Sequence, residues 1–97
     1  MIRHVVLWKL KNSADAPRFK ALLDTCKNLV PGMHQFDVGF RHEGMDANAD
    51  VVLVSLFEDA AALNAYQNHP IHKAVSAQLG PMREARHVID HPTESTT

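Results

Sequence analysis

Tyr66-Gln67-Asn68-His69-Pro70-Ile71-His72 places a phenol and two imidazoles within seven residues. Imidazole titrates near neutral pH, so His72 could take a proton from an acidic carbon, such as one alpha to a carbonyl. A tyrosine hydroxyl can orient or polarise a carbonyl oxygen. The sequence pattern puts Pro70 at a break between two helical segments. A bend there would let Tyr66 and His72 face one cavity, where they would not share one helical stripe. Tyr66 follows Leu63 by three residues, on the same buried-facing side of its helix. A buried phenol needs a hydrogen-bond partner, and His72 is the nearest candidate across the bend. The plainer alternative is a helix–proline–helix corner carrying a core tyrosine and surface histidines.

Other side chains could join them. His4 shares a strand face with Val6 and Trp8, where an imidazole serves as a satisfied core histidine more often than as a catalyst. His69 ends a helix, where a positive imidazole suits the C-terminal dipole; it is also a candidate ligand contact. His34 sits at the start of a strand beside Phe36, at the mouth of an expected pocket. Trp8, Phe19, Leu23, Phe36 and Val75 are the expected pocket walls. The chain has seven histidines and one cysteine. Cys26 lies on an apolar helical stripe and reads as a core residue. It allows no intrachain disulfide. His69 and His72 straddle a proline, and His87 and His91 would be ~13 Å apart along a strand. Neither pair has helical metal-ligand spacing, so no metal and no cofactor is expected. No glycine-rich phosphate loop or nucleophile elbow is present.

The elements that must position these groups follow from periodicity. Residues 2–10 form a strand that is apolar on both faces. Residues 16–30 carry Phe19, Leu22, Leu23, Cys26, Leu29 and Val30 at helical spacing, with Asp15 as expected N-cap and Pro31-Gly32 as the stop. Residues 33–41 alternate, with His34, Phe36, Val38 and Phe40 on one face. A polar loop leads to a third strand at 50–57, again two-sided. A helix capped by Asp59 runs to about Asn68, and a shorter one spans 71–79. A last strand covers 86–90. The order is β-α-β-β-α-β, the ferredoxin-like arrangement. Helices cover one face of such a sheet, yet strands one and three are apolar on both. A second copy, sheet against sheet, is the economical cover.

Composition bounds the rest. A chain of 97 residues is one domain, and it buries only ~60–65% of its unfolded surface, so a partner subunit would help. Ten Lys and Arg against 11 Asp and Glu give a net charge of −1, which argues against a charge-driven nucleic-acid or membrane binder. No apolar run is long enough for a transmembrane span. Arg3, His4 and Lys9 make a poor signal peptide of the N-terminus, so a cytoplasmic location is expected. The domain is placed at residues 1–91, with a loose polar tail at 92–97.

Three landmarks occur together: the first strand Ile2-Arg3-His4-Val5-Val6-Leu7-Trp8-Lys9-Leu10-Lys11, the third strand ending Leu56-Phe57-Glu58, and Tyr66-x-x-His69-Pro70-x-His72. The combination resembles the stress-responsive dimeric α/β-barrel (Dabb) domain over nearly the whole chain. The resemblance implies an α+β homodimer in which two four-stranded antiparallel sheets close into a barrel with helices outside. Most members have no assigned reaction. A plant branch cyclises linear polyketides by intramolecular aldol condensation without cofactor, using a His and a Tyr that match His72 and Tyr66, and a first-strand His that matches His4. A further pocket His of that branch falls at Val51 here, so the plant substrate is not carried over.

Two function classes follow. The first is a small cofactor-independent enzyme, cyclase-, lyase- or isomerase-like, with His72 as base and Tyr66 as polar partner, acting on a carbonyl compound or aromatic precursor. The second is a non-catalytic dimeric module that binds a small apolar ligand or supports a stress response. An open space between sheet and helices favours a ligand; a space filled by Trp8 and Phe36 favours a structural module.

Overall fold

The computed structural model describes residues 1–94. Its elements are β1 (Ile2–Leu10), α1 (Ala16–Asp24), β2 (Met33–Phe40), β3 (Val51–Phe57), α2 (Ala60–Gln67), α3 (Pro70–Leu79) and β4 (Arg83–Pro92). The strands form one sheet in the order β2-β3-β1-β4, every neighbouring pair antiparallel. This is the ferredoxin-like arrangement, with one four-stranded sheet per chain.

The even-numbered residues of β1 face the helices. His4, Val6, Trp8 and Leu10 are buried there. Through the cross-strand register they align with Ser55, Leu53 and Val51 of β3 and with Asp90, Val88, Arg86 and Arg83 of β4. Phe19 and Leu23 of α1, Leu63 and Tyr66 of α2, and Val75 and Leu79 of α3 close over that face. Trp8 and Phe19 meet edge to face, ring centroids 5.1 Å apart. Among the described residues nothing covers the opposite sheet face: Leu7 is 40% and Ile89 62% exposed, with Val5, Val52 and Val54 half-buried beside them.

Two bulges set the side-chain facing at the sheet edges. On β2 the pairing passes from Met33↔Phe57 to Gln35↔Leu56 and skips His34. On β4 it passes from Ala85↔Lys9 to Arg83↔Leu10 and skips Glu84. Because side chains alternate strictly along a strand, one extra residue moves everything beyond it to the other face. Met33 therefore takes the inward slot and His34 is exposed, against the simple alternation that puts His34 inward with Phe36.

The first helix is shorter than its apolar spacing suggests. It ends at Asp24 and unwinds through a tighter turn, with the Thr25 and Cys26 N–H groups donating to the Leu22 and Leu23 carbonyls. Asn28 then adopts φ 60°. Leu29 and Val30 still pack on the core, from this turn. The expected Asp15 cap makes no side-chain hydrogen bond. Asn12 instead accepts from the Ala14 N–H at 3.1 Å, holding a single 3-10 turn at Ser13–Asp15. At Gly32, φ is +87°, and a Cβ would stand 3.0 Å from the Ala62 Cβ. Only glycine lets this turn press against the start of α2. β4 is longer than the apolar run 86–90, and the Thr93 N–H donates to the Met1 carbonyl at 2.9 Å. Residues 95–97 of the expected tail lie outside the described residues.

Candidate functional site

Asp59 caps α2, its carboxylate accepting from the Ala62 N–H at 2.8 Å. Leu63 and Tyr66 form the buried stripe of that helix. The chain then turns at His69, whose backbone is extended, as the residue before a proline requires. Pro70 supplies the fixed φ of a first helical residue, and α3 starts in a new direction. The His69 Nδ1 accepts from the Ile71 N–H at 3.1 Å. His69 thus caps α3 in its unprotonated form, where the sequence suggested a positive charge on the end of α2.

The corner brings His72 back over α2. Its Nδ1–H donates to the Gln67 carbonyl at 3.1 Å, which fixes the tautomer and leaves the lone pair on Nε2. The His72 and Tyr66 rings lie 4.6 Å apart, tilted by 57°. Tyr66 is 1% exposed, and its hydroxyl has no hydrogen-bond partner among the described residues. The expected Tyr66–His72 hydrogen bond is therefore absent. A buried hydroxyl in that state costs roughly 1–3 kcal/mol, a cost consistent with a group held ready for a ligand.

His4 enters from β1, its ring 6.4 Å from that of Tyr66. It is 2% exposed. Its Nδ1 is hydrogen-bonded to the Asp90 carboxylate, which comes from the directly paired position of β4. The carboxylate orients the imidazole, with Nδ1–H toward Asp90 and Nε2 free.

These groups share a cavity of about 190 Å³ between sheet and helices. Its apolar wall includes Val6, Trp8, Leu23, Leu53, Val75 and Leu79. Its polar lining is His4, Tyr66, His72, Ser76, Arg83 and Arg86, with Cys26 beside them. The volume somewhat exceeds the ~150 Å³ of an engineered cavity that holds benzene. Phe36 does not line this space; it meets Tyr66 edge to face, ring centroids 6.3 Å apart. Phe19 packs behind Trp8.

The electrostatics separate the roles. Burial lowers the His72 pKa below the ordinary histidine value; the Gln67 carbonyl works the other way, and the nearby Arg86 guanidinium adds to the lowering. His72 is thus neutral, and a base, at pH 7. Burial pushes the Tyr66 phenol well above its ordinary 10, with Cys26 adding and Arg86 opposing. Tyr66 is a neutral donor. Burial also raises the Cys26 thiol, against a weaker hydrogen bond from Thr25, so it remains an unreactive thiol.

Of the residues singled out in the sequence, His72, Tyr66, His4, Trp8, Leu23 and Val75 come together on this cavity. Phe19, Phe36, His34 and His69 do not line it. Val51 packs in the core, paired with Trp8 on β1, and lies off the cavity wall. Sequence reasoning missed Asp90, Arg83 and Arg86. Asp90 was detectable in principle, since antiparallel pairing of the first and last strands sets it near His4. Among the described residues no group of three or more His, Cys, Asp or Glu side chains gathers as a metal site. No helix among them is long and apolar enough to cross a membrane.

The stress responsive A/B barrel domain model matches residues 2–93. No curated protein matches the sequence. A Dabb family protein with a ferredoxin-like fold from Mesorhizobium loti superposes with a TM-score of 0.79 at 26% identity, covering 97% of each chain. A dimeric ferredoxin-like protein of unknown function from Thermobifida fusca gives a TM-score of 0.84 at 22% identity, over 95% of this chain and 90% of the other. A hydroxynitrile lyase from Passiflora edulis gives 0.79 at 16% identity, over 99% and 95%.

Proposed function

The chain belongs to the stress responsive A/B barrel domain family, and on that premise we propose a homodimeric, cofactor-independent acid–base enzyme acting on a small carbonyl compound. The observation that carries this reading is the Tyr66 hydroxyl, buried without a partner beside an imidazole whose Nε2 lone pair is free. His72 Nε2 takes a proton from a carbon next to the carbonyl and becomes imidazolium. The electron pair of the broken C–H bond moves to the carbonyl oxygen, and Tyr66 O–H donates to that oxygen as its charge develops. His4, oriented by Asp90, accepts a proton at its free Nε2 and passes it on. The enolate can then be reprotonated elsewhere, close a ring on a second carbonyl, or expel a leaving group. These are isomerase, cyclase and lyase outcomes of one first step. The dimeric state of the Thermobifida fusca protein and the uncovered Leu7, Val52, Val54 and Ile89 face of this sheet support pairing of two sheets into a barrel.

The first step is testable without knowing the natural substrate. Acetophenone in D₂O, followed by proton NMR, reports exchange of its methyl protons. Catalysed exchange that His72→Ala abolishes supports the reading. Saturable binding with no exchange above buffer would sink it and leave the ligand-binding module.

A further inference from the structure

Two arginines that the proton-transfer reading does not use line the cavity. Arg86 pairs across the ladder with Trp8, and Arg83 with Leu10. Residues three apart on a regular strand face opposite ways. The bulge at Glu84 cancels that difference, and both arginines line the cavity with His4, Tyr66 and His72. Neither makes a hydrogen bond or ion pair among the described residues. The carboxylate that acts on Arg86 electrostatically is Asp90, and it is bonded to His4. The cavity lining itself holds two arginines and no Asp or Glu.

From this arrangement we propose that the cavity takes a small monoanionic organic acid, its carboxylate held by Arg83 and Arg86 and its apolar body, about one ring in size, set among Trp8, Leu23 and Val75. The unpartnered Tyr66 hydroxyl then meets a carbonyl oxygen further in. This rests on the same site as the acid–base reading and names its substrate class: a keto acid, not a neutral ketone. Arginine suits the task because its fork of N–H donors matches a carboxylate's two oxygens. Arg86 also stands close enough to Tyr66 and His72 to act on both electrostatically, so an acid anchored there presents its neighbouring carbons to the base.

The test compares 4-oxo-4-phenylbutanoate with its amide, which is isosteric and neutral, by calorimetric titration of the whole protein. The acid is expected to bind at least about tenfold more tightly, the usual gain of a charge-assisted pair over a neutral one. Arg86→Met should remove most of that preference and Arg83→Met part of it. Lys73→Met, which changes a cation on the outer side of α3, should leave it intact. Thermal unfolding of each variant checks that the fold persists. Equal binding of acid and amide, no binding of either at millimolar concentration, or a preference that survives both arginine variants would overturn the proposal. So would inorganic phosphate displacing the acid at equal affinity, since that would remove the need for the apolar body. A carboxylate preference without proton exchange leaves this inference standing and the enzyme reading refuted; exchange of acetophenone with no such preference does the reverse.

Discussion

Replacing Tyr66 with phenylalanine should stabilise the protein while disabling it. The hydroxyl is buried and has no partner, so the native state bears roughly 1–3 kcal/mol for its desolvation. The ring itself is well held. It lies 5.2 Å from Phe57, 6.3 Å from Phe36 and 4.6 Å from His72, and phenylalanine keeps all three contacts. Only the hydroxyl is lost, and with it the penalty. For a domain of this size, ~1 kcal/mol moves Tm by about 4–8 °C, so Tyr66→Phe should melt several degrees higher. The two proteins must be compared at the same protomer concentration, because unfolding of a dimer depends on it. On the proton-exchange assay the same variant should lose about 10²–10³ in rate, the span for removing one donor to a developing oxyanion. A thermal or denaturant melt showing a loss of more than about 1 kcal/mol would refute the reasoning. The hydroxyl would then be satisfied in solution and its role structural.

The other predictions concern the partners of Tyr66. His72→Ala should cost roughly 10²–10⁴ in rate, as loss of a general base does, with the assembly unchanged by sedimentation. Because burial lowers the His72 pKa, kcat/KM should rise through an apparent pKa below the ordinary ~6.5; a midpoint above 7 would contradict this. The same shift makes the unfolded chain protonate first as pH falls below ~6.5, so folding stability should decline there, and the part due to this group should vanish in His72→Ala. Asp90→Asn should leave the fold intact but weaken the orientation of His4, lowering the rate with little change in KM; unchanged pH–rate profiles would rule out that positioning role. Leu7→Glu on the open sheet face should break the dimer, and wild type should sediment as a dimer at micromolar concentration, with an interface of the obligate kind. A stable wild-type monomer would end that idea. With Val51 in the place of the plant cyclases' histidine, no cyclisation of long plant polyketides is expected at enzymatic rates of ~1–10³ per second; aromatic product at such rates would overturn this.

The sequence by itself determined the element order and the two-faced apolar sheet. Those rest on local periodicity and on Pro, Gly and Asp stop and start signals, which act within a few residues. It also determined the Tyr66–His72 corner, because Pro70 dictates a bend wherever it sits between helical segments. What the tertiary structure decided was which side chains cross from one element to another. The His4–Asp90 contact spans 86 positions along the chain and exists only because β1 and β4 pair in one register. The bulges at His34 and Glu84 were invisible to alternation, since each is fixed by how neighbouring strands match and not by the strand's own residues. One of them expels a histidine that the pattern placed at the pocket, and the other sets the facing of Arg83, which precedes the strand expected at 86–90. The open cavity was likewise undecidable from composition: Trp8 and Phe36 have the bulk to fill it, and their edge-to-face packing on Phe19 and Tyr66 is a tertiary contact that composition does not specify.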